Sequence, residues 1–265
     1  MARISILPID HNITADDIAI GTDSEPGNNL NTKNFSIGNI AEFIMSYIED
    51  NSSCCGGGSV TLVKYGFLYN WYTVDDSRNI ARAGWSVPTD TNFTTLQTYL
   101  SGSTTAGGKL KETGLTYWST LNTGATNEAL FNGRGAGERQ LGAAPFNNIG
   151  VRTYFLSTAS GSGWNLYNDR ADFVKWAVDP LYGHSIRLIK DTTTLTNGQT
   201  GTYTGNDGKI YRTICIGTQE WVADNIAETK YRDRTLIPEV TDNTTWAGLS
   251  TGARCSYDND PSNAL

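Results

Sequence analysis

From residue 60 to 191 the chain never sustains one apolar period for long. Short β-type runs (VTLVKYGFLYNWYTV, RTYFLST, FVKWAV, HSIRLIK) are separated by glycine-rich loops. Only one stretch there has helical spacing. It is TDTNFTTLQTYLSG, in which Thr89 or Asp90 caps the start, Phe93, Leu96, Tyr99 and Leu100 form the buried face, and Gly102 ends the helix. These features predict an α+β fold of mostly short antiparallel strands and long loops around one main helix. The loop-rich middle, from Gly102 to Gly163, is long for a compact domain, which marks functional or stitched-down loops. With 38% hydrophobic and 11% aromatic residues over 265 positions, there is material for a real core.

The first 50 residues differ in character. ISILPID reads as a short extended segment and DSEPGNNLNT as a turn-rich loop. SIGNIAEFIMSYIED then reads as a helix capped by Ser36, with Ile37, Ile40, Ile44, Tyr47 and Ile48 recurring at three and four residues. A helix of this length is marginal alone in water, so the stripe must pack on the preceding strand or on the same helix of sister chains. NSSCCGGGS is permissive backbone and reads as a linker. The expected organisation is an attachment and oligomerisation region over 1–52, a linker over 53–59 and one domain over 60–265. Within that domain, 192–206 connects two parts, 60–191 and 207–265. Asn197-Gly198 and Asp207-Gly208 are turn signals for a hairpin at the join. After it, KIYRTICIG and EWVADN supply strands whose interior is filled by Ile210, Thr213 or Ile214, Trp221 and Val222.

A net charge of −7 and a pI near 4.8 argue against a nucleic-acid partner, which needs clustered cations. No run of about 18 apolar residues is present to insert in a membrane. MARISILPIDHN lacks the basic flank and apolar core of a secretory signal, so the chain as written is expected to stay in the cytoplasm unless something larger carries it out. Cys54, Cys55, Cys215 and Cys255 show no zinc spacing; a Cys215–Cys255 disulfide and unpaired thiols are both open, with thiols favoured.

Catalysis has few materials. Of the two histidines, His11 is near the terminus, and His184 lies in the last strand of its half, where packing is the expected role. Cys54-Cys55 has no basic neighbour to activate it. GSTTAGGKL falls short of a phosphate loop because Leu110 stands where a Ser or Thr would hold magnesium. Binding is better supplied: SGWNLYNDRADFVKW gathers Trp164, Asn165, Tyr167, Asn168, Asp169, Arg170, Asp172 and Trp176, the flat aromatic faces, amides and carboxylates that saccharide sites combine. The alternative is one core tryptophan with the polar residues on a solvated hairpin. Asp258, Asn259 and Asp260 read as a solvated strand end rather than a cation loop.

The segment DGKIYRTICIGTQEWVADNIAETKYRDRTLIPEVTDNTTWAGLSTGARCSYDND resembles the opening of the Fibrobacter succinogenes major paralogous domain, a C-type-lectin-like module. YGFLYNWYTVDDSRNIARAGWSVPTDTNFTTLQTYL, GGKLKETG, TGATNE and YGHSIRLIKD resemble that family's middle and end. The order is inverted, which implies a circular permutation with new ends between Tyr257 and Tyr65, or a segment lent to a neighbouring copy. In the lectin-like fold the first and last strands lie side by side, so a short connection joins them at little entropic cost. The resemblance implies scaffold roles for Trp71, Trp85, Trp118, Trp221 and Trp246. It also places Leu188 where relatives commonly have cysteine, which removes the reactive pair that formylglycine-generating enzymes of this broad fold need. Trp164-Asn165 matches part of the calcium signature of sugar-binding lectins, but the Glu-Pro-Asn-type loop is missing; no cofactor and no metal are expected.

IAIGTDSEPGNNLNTKNFSIGNIAEFI is similar to an N-terminal region of tailed-bacteriophage structural proteins. Together these resemblances imply a virion protein (fibre, tail tip or capsid decoration), assembled in the host cytoplasm. It would be a homotrimer attached to other virion proteins and display a lectin-like domain toward a bacterial surface glycan or protein. It is not expected to be an enzyme. A purely architectural subunit and a bacterial surface adhesin are the alternatives.

Overall fold

Strands in this chain are short because glycines and polar turns interrupt every apolar run, so burial requires many small ribbons to be layered together. The computed structural model describes residues 59–265, and Val60–Leu265 form one compact unit. The predicted attachment helix with Ile37, Ile40, Ile44, Tyr47 and Ile48, together with Cys54 and Cys55, lies outside the described residues.

In chain order the elements are β1 (Leu68–Tyr69), α1 (Trp71–Asp75), β2 (Trp85–Ser86), α2 (Asp90–Tyr99), α3 (Ala106–Leu110), β3 (Ala136–Arg139), β4 (Phe146–Ile149), β5 (Arg152–Leu156) and β6 (Ser162–Tyr167). There follow β7 (Val174–Ala177), β8 (Ile189–Lys190), β9 (Thr200–Thr204), β10 (Ile210–Ile216), β11 (Gln219–Val222), α4 (Asn243–Ala247) and β12 (Arg254–Cys255), with two 3-10 turns closing the chain. One five-stranded sheet has the order β2-β8-β11-β10-β9, a second has β4-β3-β5-β6-β7, and β1 pairs with β12. All pairings between these strands are antiparallel except β3 with β5. The architecture is β-rich α+β with few helices.

The first sheet joins distant parts of the sequence. β8 is flanked by β2 on one side and by β11 on the other, in register Trp221↔Ile189. The expected hairpin forms between β9 and β10, with Gly208 in the left-handed region (φ +94°) at the turn, so the connecting segment itself supplies an edge strand. Thr213, Ile214, Trp221 and Val222 are all buried, whereas Ile210 is only half-buried at the start of β10.

The main helix is capped as expected: Thr89 Oγ1 accepts from Asn92 N–H at 3.1 Å, and the Asn92 side chain accepts from Thr89 N–H at 2.9 Å. Phe93, Leu96 and Leu100 are buried, but Tyr99 is 52% exposed, a correction to the predicted face. Its ring lies over Gly217 at the β10–β11 turn, where a side chain would collide with it. The helix ends in a paired-bond C-terminal motif, Ser101 N–H to Thr98 O and Gly102 N–H to Gln97 O. Ser101 rather than Gly102 therefore occupies the first left-handed position (φ +78°).

Between the sheets, Phe93 packs against Trp164, Trp221 and Phe173 at centroid distances of 5.5, 5.3 and 5.9 Å. Trp85, Trp118, Trp221 and Trp246 are buried as the scaffold reading expects, while Trp71 is half-buried and donates Nε1–H to Ser157 O at 3.2 Å. Cys215 and Cys255 are buried free thiols, on β10 and β12. Leu188 is core.

Burial also leaves a titratable group with a measurable signature. Glu228 Oε2 accepts from Asn206 N–H at 2.9 Å while Oε1 has no partner, and desolvation, with Asp207 nearby, pushes its carboxyl pKa up to about 7. The folded chain keeps this proton to about pH 7, whereas the unfolded chain releases it near pH 4.5. The associated stability is full below pH 4.5 and is lost as pH rises through 7, about 3 kcal/mol in all. Glu228→Gln is expected to flatten that part of the pH–stability curve, measured by urea unfolding from pH 4.5 to 8.5; an unchanged slope would count against it.

Candidate functional site

β6 alternates, and that alternation divides the residues predicted to bind. Trp164 and Leu166 point into the core, while Gly163, Asn165 and Tyr167 share the opposite face with their antiparallel partners Trp176, Tyr154 and Arg152. Trp164 is 4% exposed, stacked on Phe93 and donating Nε1–H to Asp90 Oδ1 at 3.0 Å. It braces the helix start rather than offering a platform, which corrects the expectation of a surface carrying both tryptophans. The reason is register: Trp176 pairs with Gly163, and the period of two puts Trp164, the next residue of β6, on the other face. Trp176 is 58% exposed on β7.

The opposite face carries a polar layer centred on Tyr154. Glu138 Oε1 accepts from Gln140 Nε2 at 2.8 Å, from Asn148 Nδ2 at 3.1 Å and from the Arg152 guanidinium. Burial works against the Arg152 charge, but the bond and charge of Glu138 outweigh it and hold its pKa up. Tyr154 and Tyr167 share a hydroxyl–hydroxyl bond of 3.1 Å, and Arg152 also reaches the Tyr167 hydroxyl at 3.4 Å. The His184 ring lies 5.0 Å from that of Tyr154, with Nδ1 3.9 Å from Glu138 Oε2. Burial drops the His184 pKa to about 4, so its imidazole is neutral at physiological pH, consistent with packing. Both ring nitrogens of His184, both amide atoms of Asn165 and Arg152 Nε are buried without hydrogen-bond partners. Such groups cost about 1–3 kcal/mol each when nothing answers them.

The remaining predicted residues lie in the loop after β6. Asn168 donates Nδ2–H to Thr120 O at 3.1 Å; Asp169 and Arg170 form an exposed ion pair at 3.1 Å, and the Arg170 guanidinium sits 4.5 Å from the Tyr167 ring centre. Asp172 is half-buried, and burial lifts its pKa. The loop is held from below by GGKLKETG. Lys111 Nζ donates to Thr123 O, Tyr167 O and Arg170 O, each at 2.8 Å, and Gly107 passes so close to Asp172 that a Cβ would lie 1.9 Å from its carbonyl oxygen. The loop is stitched down as well as exposed.

The structure thus brings Tyr167 and Arg170 together with Arg152 and Tyr154, and Tyr154 with His184 beside Glu138; sequence reasoning did not assign Arg152, Tyr154, Glu138 or His184 to the site, and Trp176 shares their face only by register, opposite Gly163 at the other end of β6. Arg152 and Tyr154 stand two apart in RTYFL, a spacing that places them on one strand face; what they would meet depends on pairing with β6. Among the described residues no group of three or more His, Cys, Asp or Glu side chains converges as a metal site, and no helix is long and apolar enough to cross a membrane. Chemically the face offers aromatic rings and a guanidinium fork outside, over buried amide and imidazole groups.

A family model described as the Fibrobacter succinogenes major domain matches residues 19–190. The match includes residues 19–52, which were assigned to the attachment region, and ends within β8, whose partner β11 lies beyond it. No curated protein and no solved structure matches the chain.

Proposed function

The chain belongs to the Fibrobacter succinogenes major domain family, and we propose that it is a non-enzymatic binding module of a bacteriophage virion that recognises a bacterial surface saccharide. The observation that carries the reading is the outer face of β5–β7, where exposed Trp176 and half-buried Tyr167 and Arg152 share one side of the sheet, with exposed Arg170 beside the Tyr167 ring. Saccharides are bound by this combination of aromatic faces and planar polar groups. Virion attachment through residues 1–52, a homotrimer and a C-type-lectin-like fold are parts of the same proposal and rest on the sequence resemblances.

A permuted order within one chain is favoured over exchange between copies by where the unit's two ends lie. Lys64 N–H and Gly66 N–H both donate to Ala264 O at 3.2 Å, and Tyr65 N–H donates to Asn263 O at 3.1 Å. A join across that contact would restore the family order with little rearrangement.

The test is a glycan array and a host-envelope fraction probed with the full chain. Trp176→Ala is expected to weaken saccharide binding at least tenfold while changing stability by only about 0.5 kcal/mol, because the ring is exposed. Wild-type protein that binds neither would overturn the proposal. The burial of Trp164 and Asn165 favours a second reading, an architectural subunit whose loops touch only virion neighbours; it predicts that Trp176 is solvent-exposed in the isolated protein but protected from oxidation in the particle.

A further inference from the structure

Beside the β9–β10 turn a cleft of about 390 Å³ is lined by Arg82, Lys230, Arg232 and Arg234, together with Asn206 and Asp207 of the turn. We propose that this cleft is a second binding site, for an oxyanion, a phosphate or carboxylate group borne by a saccharide.

The charge distribution makes the cluster unusual. The first 58 residues hold eight acidic and two basic side chains, so most of the net −7 lies there; residues 59–265 hold 19 and 18. Within this nearly neutral unit, four cations converge on one cleft, and none forms an ion pair with a described carboxylate. The carboxylates nearby are already engaged. Asp207 is bound to Lys209 Nζ at 2.5 Å and accepts from Thr229 N–H and Oγ1–H, both at 2.9 Å; Asp233 accepts from Thr235 N–H and Oγ1–H.

Two of the cations, Arg82 and Arg232, are also positioned by side-chain hydrogen bonds. Arg232 Nε donates to Ala81 O at 2.9 Å and its Nη2 to Arg82 O at 3.4 Å, while Arg82 Nη1 donates to Thr204 O at 3.3 Å. Asn206 Nδ2 ties the turn to Ile80 O and Lys230 O. Arg234 sits in the left-handed region (φ +70°) within a turn closed by Tyr231 N–H to Thr235 O, a conformation that costs a non-glycine residue energy. Guanidinium groups whose stems are fixed in advance lose less freedom on binding and suit bidentate contact with an oxyanion. The volume falls in the range of small-ligand sites.

This site is independent of the β5–β7 face, and the two can fail separately. Full-length protein is titrated calorimetrically with inorganic pyrophosphate, with tetragalacturonate and with neutral cellotetraose, at two salt concentrations. Saturable binding of at least one anionic probe is expected, absent for cellotetraose, weakened by salt and reduced at least tenfold in Arg232→Gln/Arg234→Gln, with Trp176→Ala unaffected. Both side chains are exposed, so the double variant is expected to melt like wild type; Lys230→Gln gives a second, milder reading. The pyrophosphate and galacturonate arms separate phosphate from carboxylate sources. No saturation with either anion, or equal binding by wild type and the double variant, overturns the site whatever the glycan array shows.

Discussion

A chain that stops at residue 195 is expected to show no cooperative unfolding transition, whereas residues 60–265 unfold in a single one. The truncation deletes β9, β10, β11 and β12, and with them the partners of β1 and of one edge of β8. What remains of the first sheet is β2 paired with β8, two residues each. The same cut removes Tyr203, Tyr211, Ile214, Trp221, Ile226 and Trp246, all at most 2% exposed. At about 1.5–3 kcal/mol for burying each large apolar side chain, six such losses come to about 9–18 kcal/mol, as large as the roughly 5–15 kcal/mol of net stability that a domain usually has. Urea unfolding followed by tryptophan fluorescence and far-UV circular dichroism measures this. A cooperative transition in the shortened chain would make the tail an accessory rather than part of the core. If the tail pairs with another copy instead, the midpoint of the full chain would rise with protein concentration.

Arg187→Met is expected to cost about 3–5 kcal/mol, the largest effect of any single substitution considered. Arg187 is fully buried, and its guanidinium donates to Phe131 O (2.6 Å), Asn132 O (3.0 Å), Val222 O (3.1 Å) and Asn225 Oδ1 (2.7 Å) while stacking 4.3 Å from the Phe131 ring centre. Burial lowers its pKa to about 9, which still leaves it charged at neutral pH. It ties the loop at 131–132 to the end of β11, so it joins the two halves of the domain as much as any strand does. Methionine fills much of the volume but leaves four acceptors unanswered, and each orphan costs about 1–3 kcal/mol less whatever the removed charge recovers in desolvation. Arg187→Lys, with one ammonium for four dispersed acceptors, is expected to fall between. A loss below about 1 kcal/mol in Arg187→Met would mean that water replaces the guanidinium, and the tie would be incidental.

Both effects arise at the junction that sequence reasoning could locate but not describe. The family match covers residues 19–190 and rests there on local motifs, while the likeness read in residues 207–260 lies outside that match. The local content of both stretches was legible: Thr89 and Asn92 cap a helix because their side chains reach backbone two or three residues away, and Asp207-Gly208 turns because glycine admits a positive φ. The candidate site was legible in part. SGWNLYNDRADFVKW contains the exposed Trp176 and the half-buried Tyr167, but composition alone could not divide Trp164 from Asn165 between core and outer face; pairing with β5 does that.

The amino-acid sequence by itself determined the inventory of this protein: short strands, one capped main helix, glycines where backbones touch or turn, and membership in its family. These follow from forces that act within a few residues. Only the tertiary structure decided that β8 sits between β2 and β11, that Arg152, Tyr154 and His184 line the face behind Tyr167, and that Arg82 meets Lys230, Arg232 and Arg234 across about 150 positions of sequence. Those neighbours are selected by burial and pairing summed over the whole domain, and no local window contains that sum.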